Sequence, residues 1–241
     1  MTNIKTALLT KIIPNPTGNR PVVLGITGSV ASGKTTLARQ IQRQYQQLRP
    51  DLTCVLVSTD DFLWSNAVLK QRQLCIKKGF PVSYDHHLMA RFVTAIQQGQ
   101  AITLPTYNHA TNDLDQQLRQ VIYQPDVLII EGLMVLQPTL RQLLTTSLFL
   151  AVDPTLNYQW YLQRCEKLDL AAKYGQTWAE FEPIARKNWV AINQRNFDEN
   201  VAPLQALATW QARVVAGHRL AWIAPTATTT VAQPNLLVSE Q

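Results

Sequence analysis

Three cysteines are scattered through 241 residues, Cys54, Cys75 and Cys165, with no C-x-x-C pair and no paired histidine cluster. That spacing excludes a disulfide framework and a structural zinc site. It points instead to a reducing, cytoplasmic compartment. No stretch approaches the ~20 apolar residues that a membrane span needs. Residues 1–20 also lack the charged segment and apolar run of a secretory leader. A membrane is therefore not an expected partner. Basic runs are missing too. Net charge is +6, yet the tightest basic pair is Lys77-Lys78, and no basic stretch interleaves with aromatics. Nucleic acid is not expected either; the charge reads as a general attraction for small anionic ligands. An N-K-x-D guanine reader is absent, which argues against a GTPase switch.

One short segment carries most of the information. Gly28-Ser29-Val30-Ala31-Ser32-Gly33-Lys34-Thr35-Thr36 follows the apolar run Val22-Val23-Leu24-Gly25-Ile26-Thr27 and precedes Leu37, Ile41, Tyr45 and Leu48 at helical spacing. Strand, G-x-x-x-x-G-K-[ST], then helix is the phosphate-binding loop in its required context. Its glycines let backbone N–H groups turn inward around a triphosphate, and the helix N-terminus adds partial positive charge. Lys34 is expected to reach the β- and γ-phosphates, and the Thr35 hydroxyl to ligate Mg²⁺.

The rest of the chain alternates apolar runs with helical patterns. Residues 1–20 read as a short arm, with Pro14 and Pro16 marking a turn. Strands are expected at residues 52–58, 126–130, 148–152 and 212–215, and an extended segment at 102–109. The continuous apolar runs suit parallel strands covered on both faces. Asp85 and Asp153 read as helix N-caps and Gly99 as a helix end. Residues 165–200 read as helical. The aromatics Trp178, Phe181 and Trp189 among them read as core. The predicted fold is therefore α/β: a P-loop NTPase fold, a mostly parallel sheet with helices on both faces, and a helical lid or substrate region after residue 154. The expected division is an arm at 1–20, a single kinase domain at 21–225 and a loose tail at 226–241.

Ligands of such sheets sit at the carboxyl ends of the strands. That rule puts the phosphate loop, Asp60, Glu131 and Asp153 on one edge. Phosphoryl transfer to an alcohol needs the γ-phosphate clamped, its charge neutralised and the acceptor hydroxyl aligned. Asp60 can accept the hydroxyl proton or help hold Mg²⁺. Asp61 reads as a solvated second carboxylate. Glu131 suits a metal or water ligand, and equally an acceptor for loop N–H groups. Arg164 shares a helix face with Tyr161 and Trp160. From spacing alone it reads as a surface arginine, and His109 as a satisfied loop residue.

Taken together, the motifs resemble the bacterial type I pantothenate kinases, within the uridine kinase and phosphoribulokinase group of P-loop kinases. The loop itself is similar, and Thr59-Asp60-Asp61-Phe62-Leu63 resembles T-D-G-F-L. Lys77-Lys78-Gly79-Phe80-Pro81-Val82-Ser83-Tyr84-Asp85 resembles K-K-G-F-P-E-S-Y-D. Tyr107-Asn108-His109 resembles Y-S-H. Glu131-Gly132-Leu133-Met134-Val135-Leu136-Gln137 is similar to E-G-L-N-V-L-Q, and Trp160-Tyr161-Leu162-Gln163-Arg164 to W-Y-x-x-R.

The resemblance implies ATP-dependent phosphorylation of a small-molecule primary alcohol, pantothenate, with ATP and Mg²⁺ as cofactors. Uridine, a riboside, a sugar phosphate or glycerate are the alternative acceptors, and an inactive nucleotide-binding relative is the non-enzymatic one. It implies Asp60 as catalytic base, with Lys34 and Arg164 stabilising the moving phosphoryl. Thr35, Asp60 and Glu131 are the expected Mg²⁺ neighbours. Tyr107, His109, Tyr161 and Asn193 would line the acceptor pocket. Arg39 corresponds to a residue used when coenzyme A competes with ATP, and homodimerisation is the implied assembly. The chain departs from the pattern in having Asp61 for a glycine and Asn108 for a serine, and it matches poorly after Arg164.

Overall fold

Apolar runs build the sheet. The computed structural model describes residues 4–18 and 20–226. Its strands are β1 (Val22–Gly28), β2 (Cys54–Ser58), β3 (Ile102–Asn108), β4 (Asp113–Ile122), β5 (Val127–Glu131), β6 (Thr146–Val152), β7 (Trp210–Val215) and β8 (Arg219–Pro225). Six of them form one sheet in the order β2-β5-β1-β6-β7-β8. All neighbours there are parallel except the final pair, β7 and β8. β3 and β4 make a separate antiparallel hairpin.

The helices are α1 (Thr6–Ile12), α2 (Lys34–Leu48), α3 (Asn66–Gln71), α4 (His86–Gln98), α5 (Pro138–Arg141), α6 (Pro154–Lys167), α7 (Leu170–Lys173) and α8 (Trp178–Asn188). Two π-helical turns, Trp189–Gln194 and Phe197–Val201, follow α8. The period of two along each strand divides the core. Leu24, Ile26, Val127 and Ile129 face α1, α2 and α6, packing with Leu37, Ile41 and Trp160. Val23, Leu128 and Ile130 face the opposite way, toward α4 and the hairpin, packing with Phe62, Phe92 and Leu104. The sheet is thus covered on both sides, as continuous apolar strands require.

Local signals act as expected at three helix ends. Asp85 Oδ1 accepts from Leu88 N–H at 2.9 Å, capping α4, and that helix ends at Gly99. Asp153 Oδ1 accepts from Thr155 and Leu156 N–H at 3.0 and 3.1 Å, capping α6. Phe181 and Trp189 are buried, as read, whereas Trp178 is only half-buried, packed beside Phe181.

Three expectations change. Within the expected arm, residues 6–12 form a helix whose Leu8, Leu9 and Ile12 are buried in the main core with Ile4 and Ile13. The extended segment at 102–109 does not join the parallel sheet but pairs with β4, which the sequence did not announce. β8 is a further unannounced strand, its Leu220 and Ile223 buried against the core. The expected loose tail at 226–241 lies outside the described residues except for Thr226, whose N–H donates to Thr209 C=O at 2.9 Å. No helix among the described residues is long and apolar enough to cross a membrane.

Candidate active site

The loop Gly28–Lys34 closes the carboxyl end of β1, between β5 and β6 in the sheet. A Cβ on Gly28 would meet the Leu150 carbonyl oxygen at 2.6 Å, so only glycine lets β1 turn there beside β6. Lys34 folds back over the loop, its Nζ donating to Ser29 C=O at 2.6 Å. Asn157 on α6 donates to Val30 C=O at 2.8 Å and ties the loop from outside. The Ser32 hydroxyl is buried and has no hydrogen-bond partner. An orphaned buried donor in a loop that leads into a helix N-terminus suits an anionic ligand. Burial pushes the Lys34 ammonium down to about 8, while Glu131 and Asp60 pull the other way.

The carboxylates come from the ends of β5, next to the loop strand, and of β2, one strand further out. Glu131 ends β5, opposite Ser58 at the end of β2. Its Oε1 accepts from the Thr35 hydroxyl at 2.9 Å. The side chain is buried, and desolvation raises its pKa against the pull of Lys34. Asp60 lies in the 3₁₀ turn Thr59–Phe62 that follows β2. Gly132, directly after Glu131, packs on this turn so closely that a Cβ would sit 1.8 Å from Thr59 Oγ1. Its φ of +138° is likewise a glycine conformation.

Asp61 corrects the sequence reading. It is not a solvated carboxylate but a buried one, 5% exposed. Its Oδ1 accepts from Tyr107 N–H at 2.7 Å and its Oδ2 from Ser58 N–H at 3.2 Å. Desolvation dominates and raises its pKa to about 6, with those two donors opposing.

The hairpin and the lid supply the far wall. The Tyr107 hydroxyl donates to Asn112 Oδ1 at 2.8 Å, and its ring meets His109 edge to face at 5.1 Å. Arg164 Nη2 on α6 donates to His109 Nδ1 at 3.4 Å. Nδ1 is then an acceptor, so the neutral ring carries its proton on Nε2. Burial, together with Arg164, Arg39 and Lys34, lowers the His109 pKa against the pull of Asp60. The Tyr161 hydroxyl adjoins Asn193 and Cys165, and its ring packs on Trp189 at 5.0 Å.

One cleft of about 580 Å³ holds this set: Lys34, Thr35, Asp60, Glu131, Tyr107, His109, Tyr161, Arg164 and Asn193 all line it. Asp153 stays a cap, away from the cleft wall. Arg39, exposed on α2, is not among the lining residues. Lys78 is a lining residue that sequence reasoning did not single out. Its Nζ donates to Asn66 Oδ1 at 2.7 Å and to Asn112 C=O, and it stands 5.1 Å from the Tyr107 ring centre. The signal was its place inside the block at residues 77–85. Asn196 was also missed; it donates to Gly79 C=O at 2.8 Å and so joins the π-helical turns to that block.

A glycine loop at the end of a central parallel strand, with a buried lysine folded over it and carboxylates on the next two strands, defines a P-loop kinase. The sequence profile of the phosphoribulokinase/uridine kinase family matches residues 23–170, and the chain belongs to this family. Among curated relatives, a pantothenate kinase of Lactococcus lactis subsp. cremoris (strain MG1363) is 36% identical over 219 residues, covering 84% of this chain and 70% of that protein. A pantothenate kinase of Clavibacter michiganensis subsp. michiganensis is 38% identical over 219 residues, covering 83% and 69%. Among solved structures, a D-glycerate 3-kinase from Cryptococcus neoformans var. grubii shares the fold, with a TM-score of 0.59 at 16% identity over 91% of this chain and 95% of that one.

Proposed function

We propose that this protein transfers the γ-phosphoryl group of ATP to the primary hydroxyl of pantothenate, giving 4′-phosphopantothenate and ADP for coenzyme A synthesis. Pantothenate kinases 36% and 38% identical to this chain support the choice of acceptor. The observation that carries the reading is convergence: residues far apart in the sequence, from the loop after β1 to the lid, line a single cleft. Three free cysteines suit a reducing compartment, and on that ground the protein is placed in the cytoplasm in this reading.

In this reading the loop N–H groups and Lys34 hold the β- and γ-phosphates. Asp60 accepts the proton of the acceptor hydroxyl as its oxygen attacks phosphorus and the bond to ADP breaks. General-base assistance of this type is worth ~10²–10⁴ in rate. Arg164 meets the charge that builds on the phosphoryl oxygens. Tyr107, His109, Tyr161 and Asn193 orient the acceptor. With Arg164 donating to Nδ1, His109 keeps an N–H on Nε2 to donate. A divalent ion fits the donor set, because the Thr35 hydroxyl and the Asp60 and Glu131 carboxylates are hard oxygen ligands of the sort Mg²⁺ takes. Bound there, Mg²⁺ would neutralise phosphate charge.

A coupled ADP-release assay with pantothenate, uridine, glycerate and a sugar phosphate tests the acceptor. Turnover on pantothenate is expected. Turnover on another acceptor alone reverses the assignment, and nucleotide binding without transfer to any acceptor removes the enzymatic reading. Asp60→Asn is expected to lower kcat by ~10²-fold or more with the thermal transition unchanged. A near wild-type kcat would end Asp60's role as base.

A further inference from the structure

The acceptor residues Tyr107 and His109 belong to a hairpin that shares no strand pairing with the central sheet. Asp60 belongs to the sheet's own edge. Something must therefore set the hairpin's position against the base. Most of the hairpin's polar links to the sheet side lie elsewhere. Gln120 donates to Leu56 C=O at 3.0 Å, from the outer strand. Asn66 binds the hairpin tip, its N–H donating to Asp113 Oδ1 at 2.9 Å and its side chain to Asn112 C=O at 3.0 Å.

Asp61 differs. Its neighbour in sequence is Asp60, and its Oδ1 takes the N–H of Tyr107 itself, 46 residues away. The pairing of β3 with β4 shifts register between Pro105 and Tyr107. At that irregularity the Tyr107 N–H is directed to the carboxylate. The local duty of Asp61, closing a capping box on Ser58, is met by Oδ2 alone. Oδ1 is thus the surplus contact that a cap does not explain. The position is also a costly one for a carboxylate. It is 5% exposed, and Asp60 and Glu131 both act on it with like charge. Burial raises its pKa, which agrees with that cost. A buried charge is retained only where its hydrogen bonds compensate.

We propose that Asp61 is a positioning residue: it sets the acceptor hairpin in register with the Asp60 turn, and through Tyr107 determines how the acceptor hydroxyl meets the base. This rests on the roles assigned to Asp60 and Tyr107 above, and it concerns a position where the resembled motif has glycine.

The test is a double-mutant cycle between Asp61→Gly and Tyr107→Phe, with Asp61→Asn alongside. Asp61→Gly is expected to raise the acceptor KM by about tenfold or more, since misplacement of about 1 Å can cost 10²-fold, with the ATP KM within about twofold. In the Tyr107→Phe background the same change should cost less than about threefold, because coupled residues are not additive. Equal rises in both KM values, or full additivity, overturn the proposal. Amide hydrogen exchange gives a second readout, independent of any acceptor. Tyr107 N–H should be protected in the wild-type chain and lose that protection in Asp61→Gly. Rapid exchange in the wild-type chain overturns the proposal even if the variants do not fold. Absence of turnover on pantothenate by the wild-type protein would overturn the acceptor assignment and leave the exchange result to decide on Asp61.

Discussion

Lys34 shows how one buried group can serve function at a cost to stability. It is 9% exposed, and burial depresses its pKa from 10.5 to about 8. Below pH 8 the folded and unfolded chains both carry the proton, and its contribution is flat. Between 8 and 10.5 the unfolded chain holds the proton and the folded chain does not, so stability rises with pH. Urea unfolding of nucleotide-free protein should therefore show the wild-type chain gaining about 2 kcal/mol over Lys34→Met between pH 8 and pH 9.5. Parallel stability curves would show that the ammonium is not desolvated. Lys34 itself was legible from the motif. Asp61 was not, because its decisive partner is the backbone of Tyr107, and no local pattern encodes a bond of that sequence separation.

At the scale of elements, two turns of the site pack without room for a side chain between them. Gly132 follows β5 and Thr59 follows β2, and a Cβ on the first would stand 1.8 Å from Oγ1 of the second. Gly132→Ala is expected to cost about 1–3 kcal/mol or more by overpacking, with positive-φ strain added. Thr59→Ala in the same chain should recover part of the loss. Unchanged stability in a chemical-denaturation experiment would show that the turns can part freely. Legibility follows burial here. β1, β5 and β6 read clearly because both faces of each strand are covered, which leaves an unbroken apolar run. β4 did not, since Gln116, Gln117, Leu118 and Arg119 are exposed and no alternation survives. The candidate site was legible mainly where it follows an apolar strand, as at Asp60 and Glu131. The hairpin and lid residues depended on the resemblance, because spacing alone left His109 and Arg164 looking ordinary.

At the scale of the whole molecule, a segment that seemed peripheral belongs to the main core. α1 is short and lacks a side-chain N-cap bond, so its sequence gave a weak helical signal. Its apolar face nevertheless enters the main core, with Ile12 fully buried. Ile12→Ala should cost about 2–5 kcal/mol in urea unfolding, the range for a deleted buried side chain. A free arm would lose at most about 0.5 kcal/mol. The same view shows how the cleft is divided. In the proposed reading, the groups that meet the triphosphate stand at the carboxyl edge of the central sheet. In the same reading, the groups that meet the acceptor stand on the β3–β4 hairpin, on α6 and on the π-helical turns. The contacts that would select the acceptor, Asp60 and Arg164 apart, are then built separately from the loop that holds the triphosphate. Evolution can retool the first without dismantling the second.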